Sequence, residues 1–221
     1  NFRSPQPLLD AFEKWVAIER LQHLIMTGTF IQTKNQALNL FDIQQFAAEL
    51  ERKGWQEEVP VSFFYEAWRM AGDPAAGEPH FERLRLLLEE KGGCLSPGER
   101  LEFLKMQENF CVKKVNGGDL SWRPRLFEVI RRKTDLWQGN GNVPFRELVN
   151  AVKSACKHGD LALARRLAAE VSAKKWVNPA MEKVMKDYLS GLIFYYENNY
   201  PKAIASFTSV ANRSNAPTDL A

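Results

Sequence analysis

The chain has 221 residues, 45% apolar and 26% charged, an ordinary composition for a folded protein and long enough to bury a substantial core. Its net charge of +3 is unevenly spread: residues 1–93 hold 10 basic and 14 acidic side chains, residues 94–186 hold 18 and 10, and residues 187–221 hold 2 and 3. No apolar run reaches the length of a membrane-spanning helix, and the basic middle is a candidate surface for an acidic partner or nucleic acid.

In chain order, Ser4-Pro5 to Met26 reads as a first helix with Ala11, Trp15, Ile18, Leu21 and Ile25 on one face, stopped by Thr27-Gly28-Thr29. Phe30–Phe41 is ambiguous. Asp42 is placed to cap a second helix whose stripe is Ile43, Phe46, Ala47 and Leu50, ending at Lys53-Gly54. Val61, Phe64, Tyr65, Trp68 and Ala71 give a third helix between Pro60 and Gly72-Asp73-Pro74. Asp73–Pro79 reads as an internal linker. Phe81, Leu84, Leu87 and Leu88 mark a fourth helix, ended by Gly92-Gly93. Ser96-Pro97 with Glu99 has the pattern of a capping box, opening a fifth helix through Leu101, Leu104, Cys111, Val112 and Val115. Ser121 is a candidate cap for a sixth, with Arg123, Leu126, Phe127, Ile130, Thr134 and Trp137 on one face. Gly139–Asn142 is a loop. Phe145–His158 and Leu161–Lys175 are two further helical segments, joined by Gly159 as a C′ residue and Asp160 as an N-cap.

The most regular stretch is Met181–Phe207, two helices broken at Asn198-Asn199-Tyr200-Pro201. Gly191 stands mid-helix, where it costs roughly 1 kcal/mol against Ala, so a second helix is expected close against it, with Ala203 as the facing small residue. Gly191, Phe194, Ala203 and Phe207 fall at the spacing of the tetratricopeptide repeat, which this hairpin resembles over about thirty residues. Asp187 departs from the family, which often has Trp there, and Pro217 lies about two positions late. The segment 145–179 is similar, more weakly, to a pentatricopeptide unit, through Asn150, Cys156-Lys157, Gly159-Asp160-Leu161 and Pro179. Ala164 and Ala203 are not one repeat length apart, so the units are irregular.

No segment alternates with a period of two. About ten helices with short Gly/Pro/Asn breaks give an all-α fold, and the resemblance implies a right-handed α-α superhelix, a tetratricopeptide-like solenoid of about five irregular antiparallel pairs. The expected divisions are 1–72, 80–137 and 143–221, within one continuous domain. The chain begins without Met or a signal peptide, and Pro217–Ala221 reads as a cap before another helix. A fragment or processed chain continuing into further repeats is therefore expected.

The family lines a concave groove with the first helix of each pair. Carried onto this sequence, Met185, Tyr188, Leu192 and Tyr195 face that groove. The family's carboxylate-clamp repeats carry Lys and Asn where this chain has Tyr188 and Leu192, so the groove favours an apolar or amphipathic peptide over an acidic tail. The implied function is a non-catalytic protein-interaction scaffold with a protein or peptide partner, and self-association through solenoid ends is a further option. The alternative is RNA or single-stranded nucleic-acid binding, which is what the pentatricopeptide family does, through a basic surface of Arg123, Arg125, Arg131, Arg132 and Lys133 beside Trp122 and Trp137. No P-loop, nucleophile elbow, dinucleotide fingerprint or metalloprotease helix occurs, and His23, His80 and His158 belong to no ligand pattern. No catalytic residue, metal site or cofactor is expected. Cys94, Cys111 and Cys156 lack the spacing of a zinc ribbon or disulfide framework, so free thiols in a reducing, cytoplasmic setting are expected.

Overall fold

A computed structural model describes residues 6–34, 40–72, 76–137, 144–173 and 179–214. The expected loop at Gly139–Asn142, Lys174-Lys175, Asp73-Pro74 and Pro217–Ala221 lie outside these. The described chain is all-helical, with ten α-helices, three short 3-10 turns and no strand. It separates into two compact units, residues 1–122 and 123–221. The division falls inside the 80–137 segment read from the sequence. It also separates charge, since unit 1 carries 18 acidic and 14 basic residues and unit 2 carries 9 and 16. No described helix is long and apolar enough to cross a membrane.

Unit 1 contains α1 (Gln6–Lys34), α2 (Leu40–Arg52), α3 (Val61–Gly72), α4 (Glu78–Glu90) and α5 (Pro97–Asn116). Helix α1 runs through Thr27-Gly28-Thr29, because one mid-helix glycine costs only about 1 kcal/mol. Asp42, expected as the cap, lies inside α2, which begins at Leu40. The expected capping box at α5 is present: Ser96 Oγ accepts from Glu99 N–H at 3.2 Å, and Glu99 Oε2 accepts from Ser96 N–H at 2.8 Å. Those bonds from Ser96 hold the Glu99 carboxyl below the usual carboxylate range.

Helix α3 is the hub of unit 1. It packs against α1, α4 and α5, so its first seven residues, Val61–Ala67, are all buried. A phenylalanine core joins it to its neighbours: the Phe63 and Phe64 rings lie 5.6 and 5.0 Å from Phe103, and the Phe81 ring lies 5.8 Å from Phe110. Trp122 closes this core edge-on to Phe81 and Phe110, at 5.1 and 5.3 Å. Buried Glu66 takes His80 Nδ1 at 2.6 Å, with Arg83 3.6 Å from its other oxygen. Unit 1 thus packs around one central helix.

Unit 2 contains α6 (Arg123–Trp137), α7 (Phe145–Lys157), α8 (Leu161–Ala173), α9 (Pro179–Tyr196) and α10 (Tyr200–Ser214). Between α7 and α8 the chain turns through Gly159 at φ 77°, and Asp160 Oδ1 accepts from Leu163 N–H at 2.9 Å, as an N-cap does. The core is aliphatic: Leu148, Val152 and Ala155 of α7 meet Ala164, Leu167 and Val171 of α8 and Met185, Leu189 and Ile193 of α9. Helix α9 pairs with α10 and also packs on both α7 and α8.

The α9–α10 contact is as close as Gly191 suggests, but its partner is different. A Cβ at Gly191 would stand 2.7 Å from Phe207 Cε1 and 2.9 Å from Cδ1, so the aromatic ring occupies the space the missing side chain leaves. Ala203 is buried without being the atom that excludes it. Tyr200 and Pro201, expected in the break, begin α10. The turn is made by Asn198 at φ 59°. Asp187 stands where the resembled family often has Trp, and it binds α10 by hydrogen bonds. It accepts from Ser209 Oγ at 2.7 Å and Arg213 Nη1 at 3.0 Å.

Candidate functional site

The four groove residues lie along α9 at spacings of three and four but at different depths. Met185 is in the core at 8% exposure. Tyr188 and Leu192 are half-buried against it, and Tyr195 is 53% exposed. Met185 is therefore packing, and a ligand can reach only the outer part of the row. Tyr188 links two neighbours: its ring is 6.0 Å from Phe207 of α10, and Lys153 Nζ of α7 lies 6.0 Å from its centroid.

That lysine belongs to a stripe the sequence reading did not single out. Arg146, Asn150, Lys153 and Lys157 follow one another at intervals of four, three and four along α7, opposite the buried Leu148, Val152 and Ala155. Three are exposed and Lys153 is half-buried. The stripe spans roughly 16 Å at the rise of an α-helix. Its signal is the gap in the apolar period of α7, visible once the helix is known to use its other face for α8 and α9. At the far end of α9, Tyr195 meets Tyr196 and Tyr200 at 5.4 and 6.0 Å, and Ile204 is 65% exposed. Unit 2 thus exposes a basic stripe on α7 and an aromatic tip on the α9–α10 hairpin.

The expected basic surface is only partly a surface. Arg123, Arg125 and Arg131 are exposed and Arg132 is half-buried. Lys133 is 3% exposed, 3.2 Å from Glu147 of α7 and 5.7 Å from the Trp137 ring. It fastens α6 to α7 and cannot serve as a surface cation. The tryptophans expected beside these residues are also internal. Trp122 is in the unit 1 core at 3% exposure, and Trp137 packs on the unit 2 core. Arg131 borders a hollow of about 420 Å³ with Arg166, Asp135, Asp160, Ala162 and Leu163. Two arginines and two aspartates make its lining neutral, and Arg166 is 3.5 Å from Asp135, so the hollow does not concentrate anions.

Among the described residues, no three His, Cys, Asp or Glu side chains come together as metal ligands. His158 ends α7 and stacks on Phe127 of α6 at 4.5 Å. Burial pushes the Cys156 thiol up to about 11, with the Glu197 carboxylate adding to the shift, so it is a packing group and a poor nucleophile at neutral pH. No family model, curated protein or solved structure matches this chain.

Proposed function

We propose that the chain is a protein-interaction scaffold and that unit 2 acts as a tetratricopeptide-like module of stacked helical hairpins. The observation that carries this reading is the packing of α9, which pairs with α10 while resting on both α7 and α8. In a right-handed stack of hairpins, each first helix covers the apolar faces of the preceding pair, and the first helices form a shared outer surface. Here those helices are α7 and α9. A partner segment lies along Arg146, Asn150 and Lys153 and reaches the exposed part of the α9 row at Tyr188, Leu192 and Tyr195. Affinity concentrates on the tyrosines and Arg146.

A second reading, single-stranded nucleic-acid binding, is favoured by one observation: unit 2 has 16 basic against 9 acidic residues, with the α7 stripe exposed. Against it, of the tryptophans that would stack on bases Trp122 is buried and Trp137 is half-buried against the unit 2 core. A photo-crosslinking residue placed at Asn150 in the full chain separates the two in a lysate of the source cells. The scaffold reading expects protease-sensitive adducts that disappear when Lys153→Glu and Tyr188→Ala are added. Nuclease-sensitive adducts in their place overturn it.

A further inference from the structure

The stripe on α7 carries charge that its surroundings do not neutralise. Among the described residues, Arg146, Lys153 and Lys157 take part in no ion pair. The acids of α7 and α9 are engaged elsewhere. Glu147, the one acid of α7, turns to Lys133 of α6. On α9, Glu182 pairs with Lys186, and Asp187 accepts from Ser209 and Arg213 of α10. Glu197, just past α9, pairs with Arg165 of α8. Arg146 is exposed in the first turn of α7, where the helix dipole disfavours a cation, and no described acid offsets that cost.

An apolar row accompanies the basic one. Tyr188, Leu192 and Tyr195 follow at four and three residues on α9, and Lys153 Nζ, 6.0 Å from the Tyr188 ring, marks where the two rows meet. The cations stand seven and four residues apart on α7. Those intervals are about 10 and about 6 Å along a helix. A partner helix reproduces them, because its side chains at the same two intervals share one face. An extended strand spans them in about three and about two residues, and a step of three turns a side chain to the opposite face. Single-stranded RNA matches the cations but not the apolar row: Leu192 has no ring on which a base stacks, and Tyr188 is half-buried beside Phe207.

We propose that the segment bound by the α7–α9 face is an acidic amphipathic helix of a partner protein. Its apolar side lies on Tyr188, Leu192 and Tyr195, and its carboxylates, seven and four residues apart, stand against Arg146, Lys153 and Lys157. The inference rests on reading unit 2 as a protein-interaction module, and it names the chemistry of what that module takes. The division of labour follows from exposure. The apolar row supplies most of the affinity, because each exposed ion pair is weak. The cations select the partner and its register, because a helix with basic flanks is repelled.

The test is titration of the full chain with a fluorescein-labelled synthetic helix of about 18 residues, Leu and Phe along one row and Glu at the two intervals beside it. A sister peptide carries Lys in place of Glu. The expected result is saturable binding of the Glu peptide, at least about tenfold tighter than the Lys peptide. In Arg146→Glu/Lys157→Glu the Glu peptide should lose about tenfold and the preference should pass to the Lys peptide, while Tyr195→Ser should weaken both. Arg146, Lys157 and Tyr195 are exposed, so these variants should melt like the parent. Equal affinity for the two peptides, a preference unmoved by the charge reversal, or no binding of either overturns the proposal. So does RNA that binds at about 150 mM salt more tightly than the Glu peptide, which gives the stripe to nucleic acid. Binding to phosphatidylserine vesicles in preference to the Glu peptide gives it to lipid, and self-association in sedimentation that the charge reversal abolishes gives it to a second copy; both defeat the proposal. If the peptides bind alike while Asn150 still crosslinks to protein, this inference falls and the scaffold reading stands. Nuclease-sensitive Asn150 adducts take the scaffold reading with it.

Discussion

Replacing Gly191 by Ala sets two effects of opposite sign against each other. In a helix interior the change is worth about 1 kcal/mol of stabilisation from propensity alone. The new methyl, however, would lie 2.7, 2.9 and 3.0 Å from three carbons of the Phe207 ring, where carbon atoms ordinarily rest at about 3.5–4.0 Å. Overpacking of this kind costs about 1–3 kcal/mol, and Tyr188, 6.0 Å from the half-buried Phe207 ring, stands on one side of its retreat. The expected net effect is destabilisation of the α9–α10 hairpin by about 1 kcal/mol. In a Phe207→Ala background the clash is gone, and the same substitution should stabilise by about 1 kcal/mol. The coupling energy is therefore about 2 kcal/mol. Native-state hydrogen exchange on the α9 and α10 amides reads the local opening free energy without requiring the two units to unfold together. A Gly191→Ala effect of the same sign and size in both backgrounds would refute the reasoning.

Three further outcomes follow from contacts within one unit. Glu147→Ala strips Lys133 of a partner and should destabilise unit 2 by about 2 kcal/mol, below the 3–5 kcal/mol of a fully buried pair because Glu147 partly faces water, whereas Lys133→Met with Glu147→Gln should be nearly neutral; denaturant melts check both. Glu99→Gln keeps the capping-box acceptor but removes the negative charge at the helix N-terminus, and should cost about 0.3–1 kcal/mol at neutral pH. The folded carboxyl titrates below its unfolded value, so the stability it adds is present above the unfolded value near pH 4 and fades as pH falls through the folded one; parent and variant melts should therefore converge in acid. In the native chain Cys94, which is exposed, should react with a thiol reagent within minutes, while buried Cys111 and Cys156 should react only on unfolding, with mass spectrometry locating the label.

What the sequence showed most clearly was chemistry confined to a few consecutive residues. The Ser96–Glu99 capping box and the Gly159-Asp160 junction were readable because cap and capped group lie within one turn. The all-helical class was readable from period alone. What failed needed knowledge of the neighbour. Gly191 announced a close approach, but whether Ala203 or Phe207 filled it depends on how α10 is rotated. Lys133 reads as a surface charge until α7 brings Glu147 beside it. Trp15 shares a helical spacing with Leu21 and Ile25, but α1 is apolar on more than one side near its start, and only packing shows that Ala17, Leu21, Leu24 and Ile25 are buried while Trp15 is exposed. The α7 stripe was hidden for the same reason: polar residues at helical spacing mark a solvent face, and they gain meaning only once Tyr188 lies alongside.

The most direct measurement of the scaffold reading is the binding of fluorescent mixed-sequence single-stranded RNA to the full chain at about 50 and about 150 mM salt. A protein-interaction surface carrying a basic stripe should show at most weak binding, lost at the higher salt. Saturable binding that survives about 150 mM salt and weakens in Arg146→Ala/Lys153→Ala/Lys157→Ala would contradict it and make unit 2 a nucleic-acid surface.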